Sequence, residues 1–154
     1  MSSVAQRIAI IRDFPAQLEQ LTAHLTSQQL TTAYNAPEWT IAQNIHHCAD
    51  AHMNAFIRCK LALTEDTPTI KPYRQNAWAD LPDSTTHEVA SSLAILQGLH
   101  QRWVLLLESV EDWSRAIYHP EQQRTLTLDD LLTMYANHCQ AHLQQIREVM
   151  EKMG

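Results

Sequence analysis

In the stretch TLDDLLTMYANHCQAHLQQIREVMEKMG, residues 127–154, apolar side chains recur every three or four positions: Leu128, Leu131, Leu132, Tyr135, Ile146, Val149 and Met153. That period belongs to an α-helix with one buried face. Thr127 stands where an N-cap is needed, Asp129 and Asp130 favour the positive end of the helix dipole, and Gly154 closes the helix. His138 and His142 fall inside the apolar stripe, about 40° apart and one turn from each other. A polar ring buried without a partner is unfavourable, so something in the interior must satisfy both.

The same period predicts three more long helices upstream. One covers about residues 4–25 on Ile8, Ile11, Leu18, Leu21 and Leu25, with Pro15 expected to kink or divide it. Another opens after Asn35-Ala36-Pro37, where Thr40 and Gln43 have capping-box spacing, and continues to about Leu63. The third covers roughly residues 86–107 along Val89, Leu93, Leu96, Leu99, Trp103 and Leu106. Residues 65–84, with Pro68, Pro72 and Pro82, form the longest connection, and a short helix is expected near Trp113 in the irregular segment 108–127. Four long helices around one core predict an all-α fold, a four-helix bundle, as one domain over residues 1–154.

Composition narrows the function. Two glycines and six prolines argue against a turn-rich sandwich or barrel. Eleven Lys+Arg against 17 Asp+Glu, a net charge of -6, leave no basic footprint for a nucleic acid. No apolar run approaches the roughly 18 residues of a membrane helix, and residues 1–13 read as neither signal nor transit peptide. Cys48, Cys59 and Cys139 form no C-x-x-C pair and read as reduced thiols. A soluble, cytoplasmic protein with neither nucleic acid nor membrane as partner is expected. The nine histidines are the one excess.

Two histidines four apart on one helix can share a metal ion, although the spacing alone equally suits a hydrogen-bonded pair in the core. A third ligand decides between them. The second long helix carries a polar stripe, Gln43, His47, Asp50 and Asn54, at offsets that keep all four on one side, with Ile45, Ala49 and Phe56 opposite. His47 with His138 and His142 would form a three-histidine site with open coordination positions, the mark of a catalytic rather than a structural metal. One divalent ion per chain, zinc or nickel, suits three imidazoles better than iron, which favours two histidines and a carboxylate. Asp50, one turn from His47, is the candidate to orient the attacking group. His46 reads as a packing or supporting residue, His52 as structural or interfacial, and His24, His87 and His100 as surface or packing residues. His119 suits either lining the site or stabilising a turn before Pro120, and Cys48 and Cys139 suit small core positions.

The motifs Trp39-Thr40-Ile41-Ala42-Gln43 and His46-His47-Cys48-Ala49-Asp50-Ala51-His52-Met53-Asn54 resemble the first motif of the DinB/YfiT-like superfamily. The run from Phe56 to Tyr73, then Tyr118-His119-Pro120-Glu121 and Tyr135-x-x-His138-x-x-x-His142, continues the similarity in order. The resemblance implies a four-helix bundle whose nickel or zinc ligands fall on His47, His138 and His142. It also implies a metal-dependent hydrolase acting on a small-molecule substrate, with low-molecular-weight thiol transfer as the alternative activity, and a homodimer. A non-catalytic metal- or ligand-binding bundle is the third reading. Two positions depart from the pattern: Arg74-Gln75-Asn76 replaces acidic residues after Tyr73, and Asn137 replaces a tryptophan before His138.

Overall fold

Ser3, Thr40 and Thr127 each accept a hydrogen bond from the backbone N–H three residues on, and Gln6, Gln43 and Asp130 accept one back from the cap N–H. These three capping boxes start three of the four long helices. In order, the computed structural model, which describes residues 2–154, comprises α1 (Val4–Thr22), α2 (Ser27–Thr31), α3 (Ile41–Thr64), α4 (Gln75–Ala79), α5 (Pro82–Thr85), α6 (Ala90–Glu108), β1 (Ala116–His119), β2 (Arg124–Thr127) and α7 (Leu128–Glu151). The architecture is the expected four-helix bundle with one small hairpin added.

α1 packs against α6 and α7, and α3 packs against the same two helices. Helices successive in the chain, α1 with α3 and α6 with α7, therefore sit across the diagonals of the bundle. Each diagonal needs a long connection, and α2 and the hairpin lie within those two connections. The core is filled by Ile11, Phe14 and Leu18 of α1, Ile41 and Ile45 of α3, Leu96, Trp103 and Leu107 of α6, and Leu128 and Leu131 of α7. Arg7 of α1 reaches α7, pairing with Asp129 at 2.9 Å and donating to Thr133 Oγ1 at 2.7 Å.

Three sequence expectations need correction. Pro15 does not divide the first helix: α1 runs through it and ends at Thr22. The third long helix begins at Ala90 rather than near Thr86, and its buried face is Leu96, His100, Trp103, Val104 and Leu107, with Leu99 and Leu106 only partly covered. α6 has neighbours on two sides, so the most apolar stripe is not the most buried one. Near Trp113 there is a turn instead of a helix, followed by the antiparallel pair of β1 and β2 with Ala116 opposite Thr127 and His119 opposite Arg124. The carbonyl of Tyr118 also accepts from the N–H of Ile70 at 3.0 Å, which ties the chain after α3 to the hairpin. His119 accepts the N–H of Gln122 on Nδ1 at 3.2 Å, so it does stabilise the turn.

The cap of α3 matters for position as well as stability. Thr40 Oγ1 accepts from Gln43 N–H at 3.1 Å, and the Thr40 carbonyl accepts from Asn44 Nδ2 at 3.0 Å. Thr40→Ala is expected to lower stability by about 1 kcal/mol, within the usual range for losing an N-cap. A urea midpoint unchanged from the parent would contradict this.

Candidate metal centre

α3 and α7 lie side by side, and their facing stripes bring His47, His138 and His142 together, with one ring nitrogen of each within 4.8 Å of the others. His138 Nε2 stands 3.2 Å from His47 Nε2 and 3.1 Å from His142 Nε2. Trp39, in the loop before α3, lies over the trio, with its ring 4.7 Å from that of His47 and nearly parallel to that of His142 at 6.4 Å. Outside the rings is a cavity of about 340 Å³. Its wall consists of Pro37, Glu38 and Trp39 before α3, Gln75 and Asn76 at the start of α4, and Gln145 on α7. No lysine or arginine among the described residues lines it.

The donor chemistry fits a metal ion. Asn44 Nδ2 donates to the Thr40 carbonyl, so its Oδ1 is left to accept from His142 Nδ1 at 2.8 Å. That fixes the proton of a neutral His142 on Nδ1 and points the bare lone pair of Nε2 at the other two rings. Lone pairs converging at about 3 Å repel unless a proton or cation lies among them. Burial and the neighbouring ring lower the His47 pKa to about 3, burial and both other rings lower that of His138 to about 2, and burial lowers that of His142 to about 4. All three rings are neutral at physiological pH, the form that coordinates metals. The cluster contains no carboxylate among the described residues, so its donor set is three imidazoles.

The other sequence candidates fall into place around this cluster. The Asp50 carboxylate makes no hydrogen bond to the trio. It is half-buried, and its pKa is raised by burial and by Asp83, against the opposing effect of His46. His46 donates from Nε2 to the Thr86 carbonyl at 2.9 Å and meets Ser92 Oγ through Nδ1 at 2.7 Å, joining α3 to α6 and to the segment before it. Cys48, Cys59 and Cys139 are buried and unpaired by disulfide, with burial pushing each thiol pKa up. His24 and His87 are exposed. Trp103 is 1% exposed and belongs to the core.

Two histidines read as structural or packing residues also reach the cluster. His52 is fully buried, a structural position on the far flank of α3, and meets His138 Nδ1 through its Nε2 at 3.0 Å. His100 is likewise buried, with Nε2 2.7 Å from His52 Nδ1. The angular distance of His52 from His47 is real, but α3 is covered on both flanks, so the opposite side of the helix is still interior. Asn44 was also missed, although it precedes His47 by one helical turn and so carried a positional signal. Gln75 and Asn76, which stand in place of acids, prove to be wall residues and give the cavity amides there.

A bundle built on these motifs, with three histidines meeting between its second and last long helices, defines a known class. Residues 10–146 match the DinB superfamily, and the chain belongs to that superfamily. It is 43% identical over 149 residues to the Bacillus subtilis (strain 168) protein named "Putative metal-dependent hydrolase YfiT", spanning 96% of this chain and 84% of that one. The solved structure of Bacillus subtilis YfiT, described as having an unusual four-helix bundle topology, matches with a TM-score of 0.95 and 41% identity over 100% of this chain and 90% of that one. The crystal structure of a mycothiol-dependent maleylpyruvate isomerase shares the fold at 20% identity, with a TM-score of 0.62 over 94% of this chain and 61% of that chain. No helix among the described residues is long and apolar enough to cross a membrane.

Proposed function

We propose that His47, His138 and His142 hold one divalent ion, zinc or nickel, and that the chain, acting as one domain over residues 1–154, is a metal-dependent hydrolase of a small molecule. The observation that carries this reading is the convergence of three neutral imidazole nitrogens at the floor of an open cavity. The relatives' names point to the same chemistry. When bound, the ion supplies a Lewis acid that brings the pKa of water toward about 7.

The protein's own groups do the rest. Asn44 holds the His142 ring in one orientation, and Trp39 shields one side of the cluster from solvent. Gln75, Asn76 and Gln145 offer amide donors and acceptors to a polar substrate, and a wall without cationic side chains disfavours strongly anionic ones. The volume suits a compact molecule. Asp50, one turn from His47 and with a raised pKa, takes the part of orienting the attacking group through intervening solvent. Asp50→Asn should then lower turnover without changing metal content.

Screening metal-loaded protein against esters, amides and epoxides, with and without low-molecular-weight thiols, tests the reading. Thiol-independent turnover supports hydrolysis. Turnover that requires a thiol favours transfer, and a flat response from fully metallated protein favours a non-catalytic binding bundle. The three buried thiols suit a reducing, cytoplasmic setting. We also propose a homodimer, which leaves Trp78 and Leu81, 37% and 51% exposed, as available apolar contacts. Sedimentation at micromolar concentration should give twice the 17.6 kDa of the chain, and a particle of single-chain mass would refute the dimer.

A further inference from the structure

Pro15 lacks the N–H that a helix would direct at the carbonyl of Ile11, four residues earlier. That carbonyl is taken instead by His100, whose Nδ1 lies 2.6 Å from it. A carbonyl only accepts, so the proton of a neutral His100 is on Nδ1 and its Nε2 carries a lone pair. His52 Nδ1, 2.7 Å away, must then donate to it. This leaves His52 Nε2 as an acceptor, and His138 Nδ1 at 3.0 Å must donate in turn. Every ring in the chain is thereby set by the one before it, and the last lone pair, on His138 Nε2, points at His47 and His142.

We propose that His52 and His100 are positioning residues of the candidate metal centre: a one-way chain of imidazole hydrogen bonds, anchored on the Ile11 carbonyl, holds His138 in the tautomer that presents Nε2 to the ion. The role rests on the metal reading given above, but the protonation pattern does not. His52 and His100 are buried, every ring nitrogen of both has a neighbour within hydrogen-bond distance, and burial disfavours a charged ring, so the direction of the chain is defined. Phe14 packs on both rings, at 5.3 Å and 5.6 Å between centroids, and Trp103 packs on both as well. The chain is thus packed between aromatic side chains, and the Trp103 N–H makes no hydrogen bond to its rings. Ligating histidines in general donate their other N–H to a fixed acceptor, and loss of that acceptor costs about 10–100-fold in metal affinity.

The test has a spectroscopic arm and a binding arm. In metal-free protein at neutral pH, ¹⁵N-labelled imidazoles should show Nδ1–H and a bare Nε2 on His52, His100 and His138. A His138 with its proton on Nε2 overturns the proposal, and this holds even if no variant folds. For binding, Zn²⁺ and Ni²⁺ affinities are measured by competition with a chromophoric chelator. His52→Phe keeps an aromatic ring but removes the acceptor, and should weaken binding about 10–100-fold. His52→Gln, whose carbonyl oxygen can accept from His138 Nδ1, should recover most of that loss. Unchanged affinity in His52→Phe, or equal losses in Phe and Gln variants of equal thermal stability, overturns the positioning role alone. Parent protein that takes up neither ion overturns the metal reading and the role built on it.

Discussion

Alanine at His47, His138 or His142 is expected to abolish stoichiometric binding of Zn²⁺ or Ni²⁺, with an affinity loss larger than the roughly 100-fold upper figure for supporting residues. The three nitrogens sit within 4.8 Å of one another, and no fourth side chain among the described residues joins them. His47→Ala is the cleanest of the three. His138 also donates to His52, and His142 to Asn44, so removing either leaves a buried acceptor without its donor. Among the described residues His47 has no hydrogen-bond partner other than His138. In metal-free protein its removal also relieves the crowding of ring nitrogens, which offsets part of the lost burial.

Thermal unfolding separates the two effects. An ion present at about 100 times its dissociation constant stabilises the native state by about 2.7 kcal/mol. At about 2–4 °C per kcal/mol for a chain of this size, chelation should lower the parent's Tm by about 5–10 °C and leave the Tm of His47→Ala where it was. Full metal occupancy in any of the three alanine variants would remove that residue from the ligand set.

What could be read from the chain and what could not divide along a physical line. The capping box at Thr40, the N-cap at Thr127 and the spacing of His138 and His142 on one face are local, set by the helical repeat, and the structure reproduces them. The partner helix for a stripe is not local. Periodicity shows that α3 has a polar face including His47, but its meeting with α7 was supplied by chemistry and by resemblance, and the diagonal order of the helices had no local signal. The hairpin of residues 116–127 was missed because four-residue strands give too short an alternation to stand out. His100 is the hardest case: its burial is satisfied by a carbonyl that Pro15 frees, and Ile11 lies far away in sequence. Pro15 looked like a break in a helix, whereas its consequence is a vacant acceptor inside a continuous one.

That interior of neutral rings makes acid the other large perturbation. Metal-free protein is expected to lose stability steeply as the pH falls below about 6.5. Burial holds His100 and His142 near 4, and burial together with neighbouring rings holds His47 near 3 and His138 near 2. His52 is depressed by the same causes. In the unfolded chain these five histidines take up protons around pH 6.5, while the native state refuses them until much lower pH. The unfolded state therefore binds more protons throughout the window from about 6.5 to about 4, and stability must fall with pH across it. Each fully titrated histidine contributes about 1.4 kcal/mol per pH unit. Against a typical total of about 5–15 kcal/mol, five acting together can unfold the protein within one or two units. Asp50, whose carboxyl pKa is raised, works in the opposite sense but is one group against five. Bound metal should move the acid midpoint lower, since an ion that requires neutral imidazoles competes with the protons. Helix content followed by circular dichroism between pH 7.5 and about 4, with EDTA and with Zn²⁺, measures both effects. Urea midpoints in EDTA that stay constant from about pH 6.5 to 4.5 would show that the native histidines accept protons as readily as unfolded ones, against the penalty that burial places on a charged ring.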